Sequence, residues 1–131
     1  MILVDTSIWI DWFRGKETWG VIKLNHALEN RLPLAICGVI LSEILQGVKA
    51  PRELAEVEKI LRPLTYLEIS REDYVLAAAL SRTAKQKGFT IRSLVDCIIA
   101  AVALKHDAVL LENDRDYQYL AHCSGLKLIR E

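Results

Sequence analysis

Neither sign of charge prevails in this sequence. Lys plus Arg and Asp plus Glu each number 17 among 131 residues, so the formal net charge is zero. That balance excludes a protein that coats nucleic acid by bulk electrostatics, and leaves room only for a small local basic patch. Low-complexity tracts and internal repeats are absent, which excludes a disordered tail or a solenoid. Cysteine is scarce: Cys37, Cys97 and Cys123 form an odd set without paired spacing, so no disulfide framework is indicated. Cys37 and Cys97 sit inside apolar runs, where a free thiol packs as a small hydrophobe. A reduced, cytoplasmic setting is expected. Long apolar runs are missing too. "CIIAAVAL" falls far short of a bilayer span. "MILVDTSIW" has no basic lead-in and is interrupted by Asp5, unlike a signal peptide. The expectation is a soluble, intracellular protein that engages no membrane.

What is present is apolar side chain, 52% of the residues. That is enough for one domain over residues 1–131 to bury a core without metal or disulfide support. Short β-rich runs alternate with longer helical patterns. Ile2 to Val4, Leu34 to Cys37, Tyr66 to Ile69, Ala108 to Leu111 and Leu126 to Ile129 read as strands, and their mostly continuous apolar character suits a parallel sheet. "VILSEILQG" is expected to stop at Gly47 through a left-handed cap. Pro51 opens "PRELAEVEKILR" and Pro63 closes it. Ser70 followed by Asp73 resembles a capping box, and the helix it opens runs to Gly88. The alternation predicts a three-layer α/β/α sandwich with a central parallel sheet. Ligands of such folds collect beyond the carboxyl ends of the strands.

Carboxylates collect at that edge. Asp5 follows the first strand, and Asp114 lies just past Leu111. Glu43 lies in the helix after "LAIC", and Asp96 in the first turn of the helix leading into "AVLL". Each has a plain explanation. Asp5 would cap "SIWIDWF", Ser93 and Asp96 would form a capping box, Asp114 would cap "RDYQYLAHC", and Glu43 would be solvated. The set is harder to explain that way. Two carboxylates about 4 Å apart repel by about 4 kcal/mol at an effective dielectric near 20. Gathering several requires protons or a cation, and the nearby cations are only Arg92 and Arg115. An all-oxygen set without Cys or His suits Mg2+ or Mn2+ and disfavours zinc.

Four segments, "ILVDTSIWI", "GVILSEILQG", "LVDCIIAAVAL" and "LLENDRDY", resemble in order the successive motifs of PIN-domain nucleases, above all VapC-type toxins of toxin–antitoxin pairs. The resemblance spans nearly the whole chain. It implies a PIN-like fold and a metal site built from Asp5, Glu43, Asp96 and Asp114. Asp116, before Tyr117, matches a frequent further acid. Glu112 departs from the Thr or Ser that relatives often carry. The resemblance also implies a homodimer and a VapB-like antitoxin bound near the active site.

A receiver domain would need an early pair of adjacent acids and a late Lys. A haloacid-dehalogenase-like phosphatase would need an Asp where Ser7 stands. A non-catalytic RNA-binding or scaffold domain of the same fold would be signalled by loss of a metal acid, and none of the four is lost. The expected activity is therefore metal-dependent hydrolysis of RNA phosphodiester bonds. Arg92 and Arg115 would steady the scissile phosphate or merely balance nearby acids. Thr6 and Ser7 would orient a carboxylate or simply begin a helix. If the chain stays extended after Leu111, Glu112 and Asp114 share a side and both face the cluster. Trp9, Trp12 and Trp19, with Ile8 and Phe13, form an apolar stripe that serves either the core or an interface.

Overall fold

The computed structural model describes residues 1–129. Five parallel strands form one sheet: β1 (Ile2–Val4), β2 (Leu34–Cys37), β3 (Thr65–Leu67), β4 (Val109–Leu111) and β5 (Lys127–Leu128), in the order β3-β2-β1-β4-β5. The helices are α1 (Thr6–Phe13), α2 (Trp19–Glu29), α3 (Gly38–Gln46), α4 (Pro51–Leu61), α5 (Arg71–Gln86), α6 (Leu94–Lys105) and α7 (Arg115–His122). From β1 the chain steps to β2 and β3 on one side, then crosses back to β4 and β5 on the other. Parallel crossovers are right-handed, so the reversal puts α1 to α4 on one face of the sheet and α5 to α7 on the other. Most helix contacts follow this division, with α1 against α2 and α3, and α6 against α5 and α7, while α3 also touches α6. This is the expected three-layer sandwich. The direction reverses between β1 and β4, and that crevice is where such sheets bind ligands.

The strands lie within a residue or two of their expected positions. Burial explains the agreement: every residue of β2 is buried, as are Leu3, Val4, Leu110 and Leu111. β3 is displaced toward the N-terminus relative to the expected Tyr66 to Ile69. It is an edge strand whose Thr65 and Tyr66 are exposed, and its extent follows pairing with Ala35 to Cys37 rather than its own hydrophobicity. Helix α6 is apolar all round and buries Cys97 through Ala103 between sheet and α5; its small alanines let both neighbours approach.

The caps divide into one expectation met and one overturned. At α5 both bonds of the Ser70–Asp73 capping box are present. The same helix ends in a left-handed Gly88 (φ 88°), with the Phe89 amide donating to the Ala84 carbonyl at 2.9 Å, which is the Schellman pattern. Gly47 is different. Its φ of −82° and ψ of −8° are right-handed, because the Gly47 and Val48 amides turn back onto Ile44 and Leu45 in a tight last turn. The expected left-handed stop is not there. Trp9 is fully buried, whereas Trp12 and Trp19 pack half-buried against the core. Trp9 and Trp12 meet edge to face at 5.7 Å, and Trp12 donates its indole N–H to Asn25 at 2.9 Å. Most of the stripe is therefore core. Helix α2 was not delimited by the sequence pattern; Thr18 caps it, accepting from the Val21 amide at 3.2 Å.

Candidate functional site

Asp96 sits one turn into α6, where a capping box with Ser93 was one explanation. Ser93 does cap the helix, accepting from the Val95 amide at 3.2 Å. Asp96 is not part of that cap; its Oδ1 instead accepts from the Tyr117 hydroxyl at 3.2 Å. Asp5 precedes α1 yet makes no side-chain cap bond. Its two oxygens accept from Tyr117 Oη at 2.9 Å and Ser7 Oγ at 3.1 Å. Glu43 is not simply solvated, since Thr6 Oγ1 donates to it at 2.7 Å. Asp114 does cap α7, accepting from the Asp116 amide at 3.0 Å.

The tightest group is Asp96, Asp114 and Asp116, which each offer an oxygen within 4.8 Å of the others. Asp5 joins through the shared Tyr117 hydroxyl, and Glu43 through Thr6, the neighbour of Asp5. Asp116 thus stands nearer the centre than Glu43. Arg92 bridges the outer side of the group. Its Nη2 reaches Asp114 at 2.7 Å, and its backbone N–H and Nε reach Asp116 at 3.0 and 3.3 Å. These acids, Asp116 first, hold the Arg92 guanidinium above its ordinary pKa. Because 70% of the Arg92 side chain is exposed, solvent screens most of the attraction.

On the inner side no Lys or Arg among the described residues pairs with Asp96. Burial, then the charges of Asp5 and Asp114, push its carboxyl up to about 6. Tyr117 is completely buried, and burial together with Asp5 and Asp96 keeps its phenol well above its ordinary range. A phenol has one proton to donate, and here it faces two carboxylate oxygens. It donates to one of them at a time, and its hydrogen bond to Asp96 works against the rise that burial, Asp5 and Asp114 cause there.

Tyr117 is the residue that sequence reasoning missed. Its signal was weak: an aromatic with a polar tip, on the buried stripe it shares with Leu120, directly after Asp116. Glu112 lies past the end of β4 rather than in it, and is buried, with Oε2 accepting from the Asp114 amide at 2.7 Å. It braces the turn carrying Asp114 and borders an opening shared with Trp19 and Ile129. Arg115 is exposed and, with Thr90, Arg92 and Asn113, lines a cleft of about 650 Å³ beside the acids.

The residues fit a divalent cation. The donors are hard carboxylate oxygens, preferred by Mg2+ and Mn2+. Burial, with the charges of Asp5 and Asp114, already disfavours the ionised Asp96 carboxylate, and a cation beside it would offset that. No sulfur competes: Cys37 and Cys97 are buried, and burial pushes both thiols up to about 11.

Comparison with known proteins agrees with this architecture. The PIN domain family matches residues 2–122. The VapC ribonuclease Mb1587 of Mycobacterium bovis is 33% identical over 129 residues, covering 97% of this chain and 96% of that protein. Ribonuclease VapC11 of Mycobacterium tuberculosis matches to the same extent, 33% over 129 residues. Among solved structures, VapBC2 from Rickettsia felis bound to a promoter DNA fragment superposes with a TM-score of 0.76 at 22% identity, over 98% of each chain. A toxin–antitoxin complex from Klebsiella pneumoniae gives 0.76 at 25% identity, over 99% of this chain and 97% of that one. This chain belongs to the PIN-domain family.

Proposed function

We propose that this protein is a metal-dependent endoribonuclease, the toxin of a VapBC-type pair, and that its acid cluster is the catalytic centre. The observation that carries the reading is the gathering of Asp96, Asp114 and Asp116 within 4.8 Å at the sheet's reversal point, with Asp5 tied to Asp96 through Tyr117. The ribonuclease names of the 33%-identical relatives support the same activity. A non-catalytic RNA-binding or scaffold role is disfavoured, because every acid of the expected set is present and turned into one network.

Asp5, Glu43, Asp96 and Asp114 would hold the ion, with Asp116 beside them. A bound Mg2+ or Mn2+ supplies positive charge for the reacting phosphodiester and a lowered pKa for the attacking water. The chain's own residues do the rest. Thr6 and Ser7 fix the carboxylate orientations of Glu43 and Asp5 by donating to them. Tyr117 links Asp5 to Asp96 and excludes water from behind the cluster. Arg92 and Arg115, on the rim of the adjoining cleft, steady the phosphate of the incoming strand by charge-assisted hydrogen bonds. Arg92 now pairs with Asp114, and would be freed toward a phosphate were that carboxylate to hold the ion instead. Glu112 supports the site by holding the Asp114 turn.

The solved neighbours are toxin–antitoxin and VapBC complexes. A VapB-like antitoxin is accordingly the proposed protein partner, RNA the substrate, and a homodimer in the cytoplasm the working form. No helix among the described residues is long and apolar enough to cross a membrane. The direct test incubates the purified chain with RNA in Mg2+, in Mn2+ and in excess EDTA. Cleavage in the first two and none in the third is expected. Cleavage that persists in EDTA would overturn the metal-dependent mechanism, and no cleavage under any condition would overturn the activity.

A further inference from the structure

Two arms open at the carboxyl edge, each bordered by acids of the candidate set. One carries Arg92 and Arg115 beside Asp114 and Asp116. The other, about 460 Å³, runs from Glu43 past Val39 and Ile69 to Tyr66, Glu68 and Tyr74. That volume falls within the roughly 300–1,000 Å³ of ordinary small-ligand sites. The described residues lining this second arm include two carboxylates and no Lys or Arg. A phosphate would be repelled there, whereas a flat, uncharged group bearing N–H donors would be welcome.

Two tyrosines stand ready for such a group. Tyr66 and Tyr74 are 49% and 50% exposed, far more than packing alone leaves an aromatic ring in a core. The Tyr66 hydroxyl lies over Gly38, the first residue of α3, where an added Cβ would come within 2.9 Å of it. Exposed aromatic faces beside a nucleic-acid cleft are stacking platforms for bases, whatever their sequence. Glu68 offers an acceptor at the same wall, and carboxylates accept from exocyclic base amines.

We propose that this arm is a nucleobase subsite, taking one base next to the scissile phosphate against Tyr66 and Tyr74 with its edge toward Glu68. The sugar–phosphate chain then leaves over Arg92 and Arg115. The subsite favours adenine, cytosine or guanine, which carry an exocyclic amine, over uracil, which carries none. The inference rests on the ribonuclease reading and deepens it by assigning base selection to the Tyr66–Tyr74 arm.

The test is a double-mutant cycle between protein and RNA. Oligoribonucleotides carrying one abasic residue, scanned across the cleavage position, are cleaved by the wild-type chain and by Tyr66→Ala and Tyr74→Ala in Mg2+. Both side chains are half exposed, and titration of Mg2+ binding checks that each variant keeps its fold and acid site. Each substitution is expected to lower kcat/KM about 5- to 150-fold on intact RNA. On RNA abasic at one particular position the substitutions should have almost no further effect. Glu68→Gln should reduce the preference for amine-bearing bases at that same position. Losses that multiply independently at every abasic position would overturn the subsite. Unchanged kcat/KM in both tyrosine variants, leaving the arm to a protein partner, would overturn it as well. No cleavage by the wild-type chain would overturn the ribonuclease reading and the subsite together, whereas cleavage without coupling overturns the subsite alone.

Discussion

Asp96 interrupts an apolar helix, and burial with the charges of Asp5 and Asp114 works against its ionised form. Its folded pKa of about 6 lies above its ordinary 3.8, so the native state binds the proton more tightly than the unfolded chain does. The penalty on folding is therefore full above about pH 6 and disappears as the pH falls toward about 4. Asp96→Asn removes it. In EDTA near neutral pH the variant is expected to melt roughly 3–8 °C above the wild type after allowance for solvent screening. The gap should close on acidification and reverse when Mg2+ stabilises only the wild type. Thermal melts at several pH values check this; a gap independent of pH would mean that the carboxylate is not strained. Tyr117→Phe works in the opposite sense, because the tyrosine hydrogen bond lowers the Asp96 pKa. Its loss should raise that pKa further, as carboxyl resonances followed by NMR would report. Glu112→Gln keeps an acceptor for the Asp114 amide, so the turn should survive while Mg2+ affinity falls, less than in Asp96→Asn. An affinity unchanged by calorimetry would leave Glu112 with a purely structural role.

Elements follow from the sequence where burial or a cap dictates them. The apolar runs of β1, β2 and β4 suited interior strands, and the run Cys97 to Leu104 of α6 a buried helix. The α5 boundaries were legible because Ser70, Asp73 and Gly88 each perform a local chemical task. Ser70→Ala should therefore destabilise the fold by about 0.5–2 kcal/mol while leaving RNA cleavage intact, since Ser70 contacts Asp73 and Lys105 and no acid of the cluster. A matching fall in specific activity at a temperature where the variant stays folded would contradict that separation. What the pattern could not supply is tertiary. The Asp5–Tyr117 bond joins residues 112 positions apart, and β3 takes its extent from a neighbour. The pull of Asp116 toward Arg92 likewise depends on how the 90–93 segment lies across the start of α7.

For the whole molecule, the parallel sheet was legible in the sequence, and with it the edge at which its loops collect, although the strand order was not. The partition of that edge into a basic arm and a tyrosine arm was not legible either, since it needs α3, β3 and α5 in their packed places. Ile22, Ile60, Val75 and Leu94 are exposed apolar side chains available to a partner copy. A symmetric dimer is the expected assembly. Sedimentation at micromolar concentration should give a dimer, and a purely monomeric boundary would contradict it.

The central claim is that the carboxylates around Asp96 cut RNA. The most direct measurement compares wild type and Asp96→Asn, at equal concentration and confirmed fold, on one labelled RNA in saturating Mg2+. Asparagine preserves the shape of the residue and removes the charge that a cation would need. The account predicts rapid cleavage by the wild type and a rate lower by at least about 100-fold in the variant, in keeping with loss of a group whose charge serves the transition state. Undiminished cleavage by Asp96→Asn would contradict it.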